Sequence, residues 1–174
     1  DEKSAPFYFQ AMFNKLKKER VIAISSLVIA NHTNTHPTGV LEDLLNHKGN
    51  EEFDHRWIFM DRDEERTNGG GHTLENFNQA FLQAKSKKIK VAYANPCFEI
   101  WVLLHFEYRN TAIDRDELYK KLESEKGYAK SNLFMPLLDT KLQETAIENS
   151  KKLLKSWKDQ GINPATNNPR TNVH

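Results

Sequence analysis

Hydrophobic positions along the chain change their period several times, and each change marks a predicted element. Between residues 5 and 18, Phe9, Met12, Phe13 and Leu16 form one stripe at helical spacing. Ser4 stands where a helix cap is expected, and Pro6 falls in the first turn, where proline is tolerated. Residues 20–29 are β-branched and almost continuously apolar, which predicts a buried strand. After a break at Thr35-His36-Pro37-Thr38, a helix starts at Gly39 and stops at Gly49. Residues 53–61 read as a second strand ending in acids. A loop with glycines at 69, 70 and 71 follows over 65–72. Residues 72–88 predict a helix with Leu74, Phe77, Phe81 and Ala84 on one face, and residues 88–94 a third strand. The length and aromatic stripe of residues 95–108 favour an apolar helix over a strand.

From residue 109 the pattern changes. Residues 115–126 are helical and solvent-facing. Residues 141–160 form a longer amphipathic helix carrying Ala146, Ile147, Leu153, Leu154 and Trp157, and residues 161–174 are polar and irregular. Strands that alternate with helices through residue 108 imply right-handed βαβ units and a parallel sheet with helices on both faces. The expected architecture is therefore α/β: a single domain over 1–174, with an α/β core over 1–108 and a mostly helical C-terminal extension over 109–174.

Length supports that reading, since 174 residues suit one domain with one sizeable core. Charge narrows the partners little. With 25 Lys+Arg against 24 Asp+Glu, no basic excess points to nucleic acid, although local patches matter more than the sum. Cys97 is the single cysteine, so no intrachain disulfide can form, and a lone thiol suits a reducing cytoplasm. No apolar run approaches the ~20 residues needed to span a bilayer, so no membrane partner is expected. The first residues, Asp1-Glu2-Lys3-Ser4, do not read as a signal peptide.

Candidate chemistry concentrates at predicted strand ends, where open α/β sheets bind ligands. Asp61 and Asp63 lie one residue apart, with Arg62 between them. In an extended segment alternate side chains point the same way, so both carboxylates can face one ion. Mg²⁺ takes oxygen ligands and is commonly held by one or two carboxylates plus waters and phosphate. The competing reading is a solvated loop with weak local ion pairs.

Asn95-Pro96 ends the third strand and opens the next helix, placing Glu99 in its first turns near the positive end of the helix dipole. An acid inside so apolar a segment needs a partner or a metal, or else bonds free backbone N–H groups. His105 shares a stripe with Phe98, Trp101 and Val102, a pattern that suits a core histidine better than a catalyst. Lys130 follows Gly127-Tyr128-Ala129 in a loop, where a lysine either contacts phosphate or is simply solvated. Gly69-Gly70-Gly71 lacks the Lys-Ser/Thr of a phosphate-binding loop, and no Cys/His spacing suits zinc.

Taken in order, DEKSAPFYF, FMDRDEE, NPCFEIWVLLHF, GYAK and NPRTNVH resemble the RloB family over nearly the whole chain. The long NPCFEIWVLLHF string is the most specific of them. The resemblance implies a bacterial or archaeal protein of restriction and anti-phage loci, often encoded beside an ATPase partner. It also implies a core like the Toprim fold, in which a glutamate after the first strand and an Asp-x-Asp after the third hold Mg²⁺ (or Mn²⁺) for phosphodiester chemistry.

On that resemblance Asp61 and Asp63 take the Asp-x-Asp role, and Glu2 matches the second glutamate of the family's first motif, beside the metal. Asp1 stands where the family has glycine, and the family's first glutamate and its strand are expected upstream of residue 1. Glu99, His105 and Lys130 become expected catalytic residues, with Arg62 and Lys130 contacting phosphate. The activity expected is that of a cytoplasmic Mg²⁺-dependent nuclease acting on DNA or RNA in anti-phage defence, possible as an oligomer. The alternative is a non-catalytic binding or sensor module that works with the ATPase.

Overall fold

Local signals set the starts of several helices. The computed structural model describes residues 4–23, 26–65, 70–129, 135–158, 161 and 163–173. The first apolar stripe forms helix α1, Ser4–Lys18. Pro37 sits in the first turn of α2, Pro37–Asn46, where the His36 ring caps the Gly39 N–H. Thr73 caps α3, Leu74–Ser86, through the Asn76 N–H at 3.1 Å. Asp114 caps α5, Arg115–Lys126, through the Glu117 N–H at 2.8 Å, and Gly127 closes it in the left-handed conformation. Helix α4, Glu99–Leu104, is short and entirely buried, and α6, Thr140–Lys158, packs against it.

The strands are β1, Trp57–Asp61, β2, Lys90–Asn95, and β3, Arg170–Thr171, in the order β1-β2-β3. β1 and β2 run parallel, with Asp61 beside Ala94. Strand alternation divides the core in two. Ile58, Met60 and Tyr93 pack with Leu41 of α2 and with Phe77, Ala80 and Ala84 of α3. Phe59, Ala92 and Ala94 face the other way, against Tyr8 and Phe9 of α1 and against Phe98 and the whole of α4. Helices thus cover both faces of the sheet, and the α/β class expected from the sequence holds.

Three expectations are corrected. The sheet is small and mixed rather than wholly parallel, because β3 joins β2 antiparallel. Residues 20–29 do not form a strand where described, and Val21, Val28 and Ile29 are exposed there. Apolar, β-branched composition favours a strand only when a neighbouring strand receives its hydrogen bonds, so the propensity was overridden.

The polar tail is irregular as expected, apart from Arg170–Thr171, which form β3. The Asn172 side chain accepts from the Tyr93 N–H at 2.7 Å and donates to the Val91 carbonyl at 3.0 Å, so its amide extends the β3 pairing along β2. Thr171 Oγ1 donates to the Tyr93 carbonyl at 2.9 Å, and Val173 enters the α1–α4 core. Side-chain amides took over bonds that a strand backbone would make, which the pattern of apolar positions does not register. The predicted helix over 95–108 contracts to the six residues of α4.

Candidate functional site

The extended path of β1 continues beyond its last residue. The Arg62 N–H donates to the Ala94 carbonyl at 2.7 Å and the Asp63 N–H to the Pro96 carbonyl at 3.0 Å, both across to the end of β2. This carries Asp61 and Asp63 to the carboxyl edge of the sheet on an extended backbone, as the sequence predicts. Asp61 is buried, and Asp63 is partly buried.

The return of the chain supports this edge. Gly71 has φ +78°, and a Cβ there would stand 2.2 Å from the Glu64 carbonyl oxygen, so only glycine lets the two segments approach this closely. The His72 N–H then donates to the Asp63 carbonyl at 2.8 Å. The His72 ring bonds to the main chain of Asp61; burial lowers its pKa, and the Asp63 charge partly offsets that.

Beside the strand end lies a cleft of about 580 Å³ lined by Asp63, Glu64, Asn95, Asp114, Arg115 and Lys120 among others. Its lining is acidic, with Glu65, Asp116 and Glu117 adding to the carboxylates and Arg115 and Lys120 supplying the cations. The Arg115 guanidinium reaches across from the first turn of α5 and donates to Asp63 Oδ2 in an ion pair. It also lies over the Tyr119 ring, 5.6 Å from the centroid. Burial would lower the Arg115 pKa, but the bond to Asp63 and the nearby charges raise it overall.

Arg62 points elsewhere. It is buried, with Nε donating to the Ala165 carbonyl at 3.0 Å and a terminal nitrogen to the His72 carbonyl at 3.2 Å, and it stacks 5.8 Å from the Phe77 ring centroid. Glu99 is completely buried behind the cleft rather than lining it. Its Oε1 accepts from Tyr128 at 2.8 Å and from Ser4 at 3.2 Å, and its Oε2 is buried with no hydrogen-bond partner assigned among the described residues. The Cys97 thiol, whose pKa is pushed well up by burial, lies against Glu99 and feels the charges of Asp61 and Arg115, so these groups share one neighbourhood.

His105 is held apart from them, with Nδ1 at 2.8 Å from the Trp101 carbonyl and Nε2 at 3.0 Å from Gln143 Nε2. Burial lowers its pKa to about 4. A carbonyl beside Nδ1 requires the proton there, leaving Nε2 to accept from Gln143, the neutral form of a satisfied core histidine. Glu2 and Lys130 lie outside the described residues.

The sequence reading named the strand-end acids as candidates but gave no site role to Arg115, Tyr119, Tyr128, His72 or Ser4. Arg115 and Tyr119 sit in a helix that the pattern marks as solvent-facing, and only the cap at Asp114 hints that its first turn is anchored.

The donor chemistry at this edge suits a hard divalent cation. Asp61 and Asp63 are the carboxylates that would offer oxygen to such an ion, Asp63 from the cleft lining and Asp61 from a buried position. The Arg115 guanidinium marks the position beside Asp63 as one that accepts positive charge. Among the described residues, no group of three or more His, Cys, Asp and Glu side chains is arranged to hold a metal. No helix among them is long and apolar enough to cross a membrane.

No curated protein and no solved structure matches the chain. The profile of the family described as RloB-like protein, in contrast, matches residues 1–174, the whole length, and the chain therefore belongs to the RloB-like protein family.

Proposed function

We propose that the carboxyl edge of β1 and β2 is a divalent-cation site serving phosphodiester hydrolysis in a Toprim-like, Rossmann-related α/β domain. The observation that carries this reading is the run Asp61-Arg62-Asp63 at the end of β1, where Asp63 lines an acidic cleft and already holds the Arg115 cation while Asp61 lies buried two residues before it. Asp61 and Asp63 would hold Mg²⁺ or Mn²⁺. Such an ion, when bound, activates water and offsets charge on a scissile phosphate.

The chain's own groups prepare that edge. His72 braces the main chain of Asp61, and Arg62 fixes the strand end to the Ala165 carbonyl. Glu99, with Tyr128 and Ser4, sets the buried wall behind Cys97 and acts by positioning. Nucleic acid is the proposed substrate, anti-phage defence in a cytoplasm the proposed setting, and a neighbouring ATPase the proposed partner, all by analogy with the family. Assembly into an oligomer belongs to the same proposal.

Calorimetric titration of Mn²⁺ into the wild type and into Asp61→Asn/Asp63→Asn tests the site, followed by cleavage assays on DNA and RNA with and without chelator. Binding that is lost in the double variant, with chelator-sensitive cleavage, is the expected result. A wild type that binds no Mn²⁺ even with nucleic acid present refutes it.

The Asp63–Arg115 ion pair favours a second reading. A site whose aspartate is neutralised from within suits a binding or sensor module that works with the ATPase. That module would bind its partner equally well with and without divalent cation.

A further inference from the structure

Arg115 occupies an unusual position. It is the first residue of α5, where the positive end of the helix disfavours a cation, and the acids Asp116 and Glu117 follow it in the same turn. Its guanidinium nevertheless leaves the helix, lines the cleft and settles on Asp63. Both side chains are only partly exposed, 23% for Arg115 and 14% for Asp63, so the pair is shielded but open to the cleft on one side. Arg115 also lies over the Tyr119 ring, one turn along the same helix. Two positive charges cannot share one carboxylate oxygen without strong repulsion.

We infer that Arg115 is a tethered counter-ion of the acid pair: it neutralises Asp63 until a divalent cation arrives, then yields that oxygen and turns its guanidinium to the substrate phosphate in the cleft. This rests on the cation-site reading above and deepens it. The exchange needs no backbone movement, because the side chain already lines the cavity that a phosphate would enter. A guanidinium is also suited to the second duty, since its planar fork meets phosphate oxygens with paired hydrogen bonds. The acidic lining makes such a residue necessary, because the lining carries six carboxylates and, beside Arg115, Lys120 as its other cation.

The test uses the full chain with Arg115→Ala and Arg115→Lys, each first checked for a wild-type circular dichroism melt. Mn²⁺ alone is titrated by calorimetry. A short single-stranded oligonucleotide is then titrated in Ca²⁺. Arg115→Ala is expected to bind Mn²⁺ about fivefold tighter, the worth of a partly shielded pair, and to bind the oligonucleotide about tenfold more weakly. Arg115→Lys, which keeps the charge but not the fork, is expected to fall between wild type and alanine on both measures.

Opposite shifts in the two affinities are what a merely structural arginine does not produce. Equal or weaker Mn²⁺ binding by a folded Arg115→Ala, where wild type binds, overturns the counter-ion role and leaves the cation site standing. Unchanged oligonucleotide affinity overturns the phosphate duty. Absence of Mn²⁺ binding in wild type and both variants overturns the cation site and the inference together.

Discussion

The Tyr128 hydroxyl donates to Glu99 Oε1 at 2.8 Å inside the core, joining the segment after α5 to the start of α4. Ser4 closes the group from α1, 3.2 Å from the same carboxyl oxygen and 3.0 Å from the tyrosine. Burial, and then the Glu99 charge, push the Tyr128 pKa up, so the hydroxyl keeps its proton and remains a donor. A donor removed from a buried carboxyl costs more than an average hydrogen bond. Tyr128→Phe should therefore lower stability by ~1.5–3 kcal/mol and Ser4→Ala by ~1 kcal/mol. The double variant should depart from additivity by at least ~0.5 kcal/mol, because both donors serve one oxygen. Urea unfolding of the three variants measures this, and strict additivity would show that the two contacts are independent.

Arg62 supports a second prediction. Its guanidinium ties the Ala165 and His72 carbonyls to the end of β1, so it fastens the C-terminal segment to the strand that carries the acids. Arg62→Ala takes the Arg62 donor from the part-buried His72 carbonyl, leaves the Ala165 carbonyl the longer bond from Asn95, and empties a buried guanidinium site, and should cost ~2–4 kcal/mol. Arg62→Lys should recover little, since a single ammonium cannot reproduce the fork. Amide exchange over residues 163–167 should quicken in both variants before global unfolding. A variant with wild-type exchange there would show that the other contacts of the segment suffice.

Period and turn chemistry made much of this fold legible. The stripes Phe9, Met12, Phe13, Leu16 and Leu74, Phe77, Phe81, Ala84 announced α1 and α3, and the acids after Trp57–Met60 announced the strand end. Residues 20–29 failed the same logic, because their composition reports an affinity for a sheet and not the presence of a neighbour. The tail was read as irregular, which holds outside Arg170–Thr171, but its packing was not legible. Asn172, Thr171 and Asn167 look like loop residues because their polarity is visible while the backbone groups they bond are not.

In the candidate site, Asp61 and Asp63 were legible from their place after a strand. Arg115 was not, because its partner Asp63 is 52 residues away and nothing in the local pattern pairs them.

Asn172 offers a sharper test of that side-chain pairing. Its amide presents an oxygen to the Tyr93 N–H and a nitrogen to the Val91 carbonyl. Asn172→Asp is nearly isosteric but sets a second oxygen against that carbonyl. It should destabilise the protein by ~2 kcal/mol or more, exceeding Asn172→Ala if the repulsion dominates. Thermal melts at neutral pH decide the order. Asn172→Asp should also regain stability as the pH falls through the carboxyl range, because a protonated acid can donate to Val91 again. A melting temperature that does not rise on acidification excludes that geometry.

His105 sets the pH dependence of the core. Its pKa falls from 6.5 to about 4 in the folded protein, with burial as the leading cause. A histidine lowered in this way binds its proton more readily in the unfolded chain. Its contribution is therefore fully present above pH ~6.5 and is lost as the pH falls toward 4. At ~1.4 kcal/mol per pH unit over that window the loss amounts to about 3 kcal/mol. Acidification protonates Nε2 where Gln143 now donates to it, so the α4–α6 contact bears the strain. Unfolding free energies measured between pH 7.5 and 4 should fall along this course in the wild type. In His105→Gln, which cannot titrate, that component of the slope should disappear, even though the variant starts from a lower stability. A slope unchanged by the substitution would assign the acid sensitivity to the carboxylates instead.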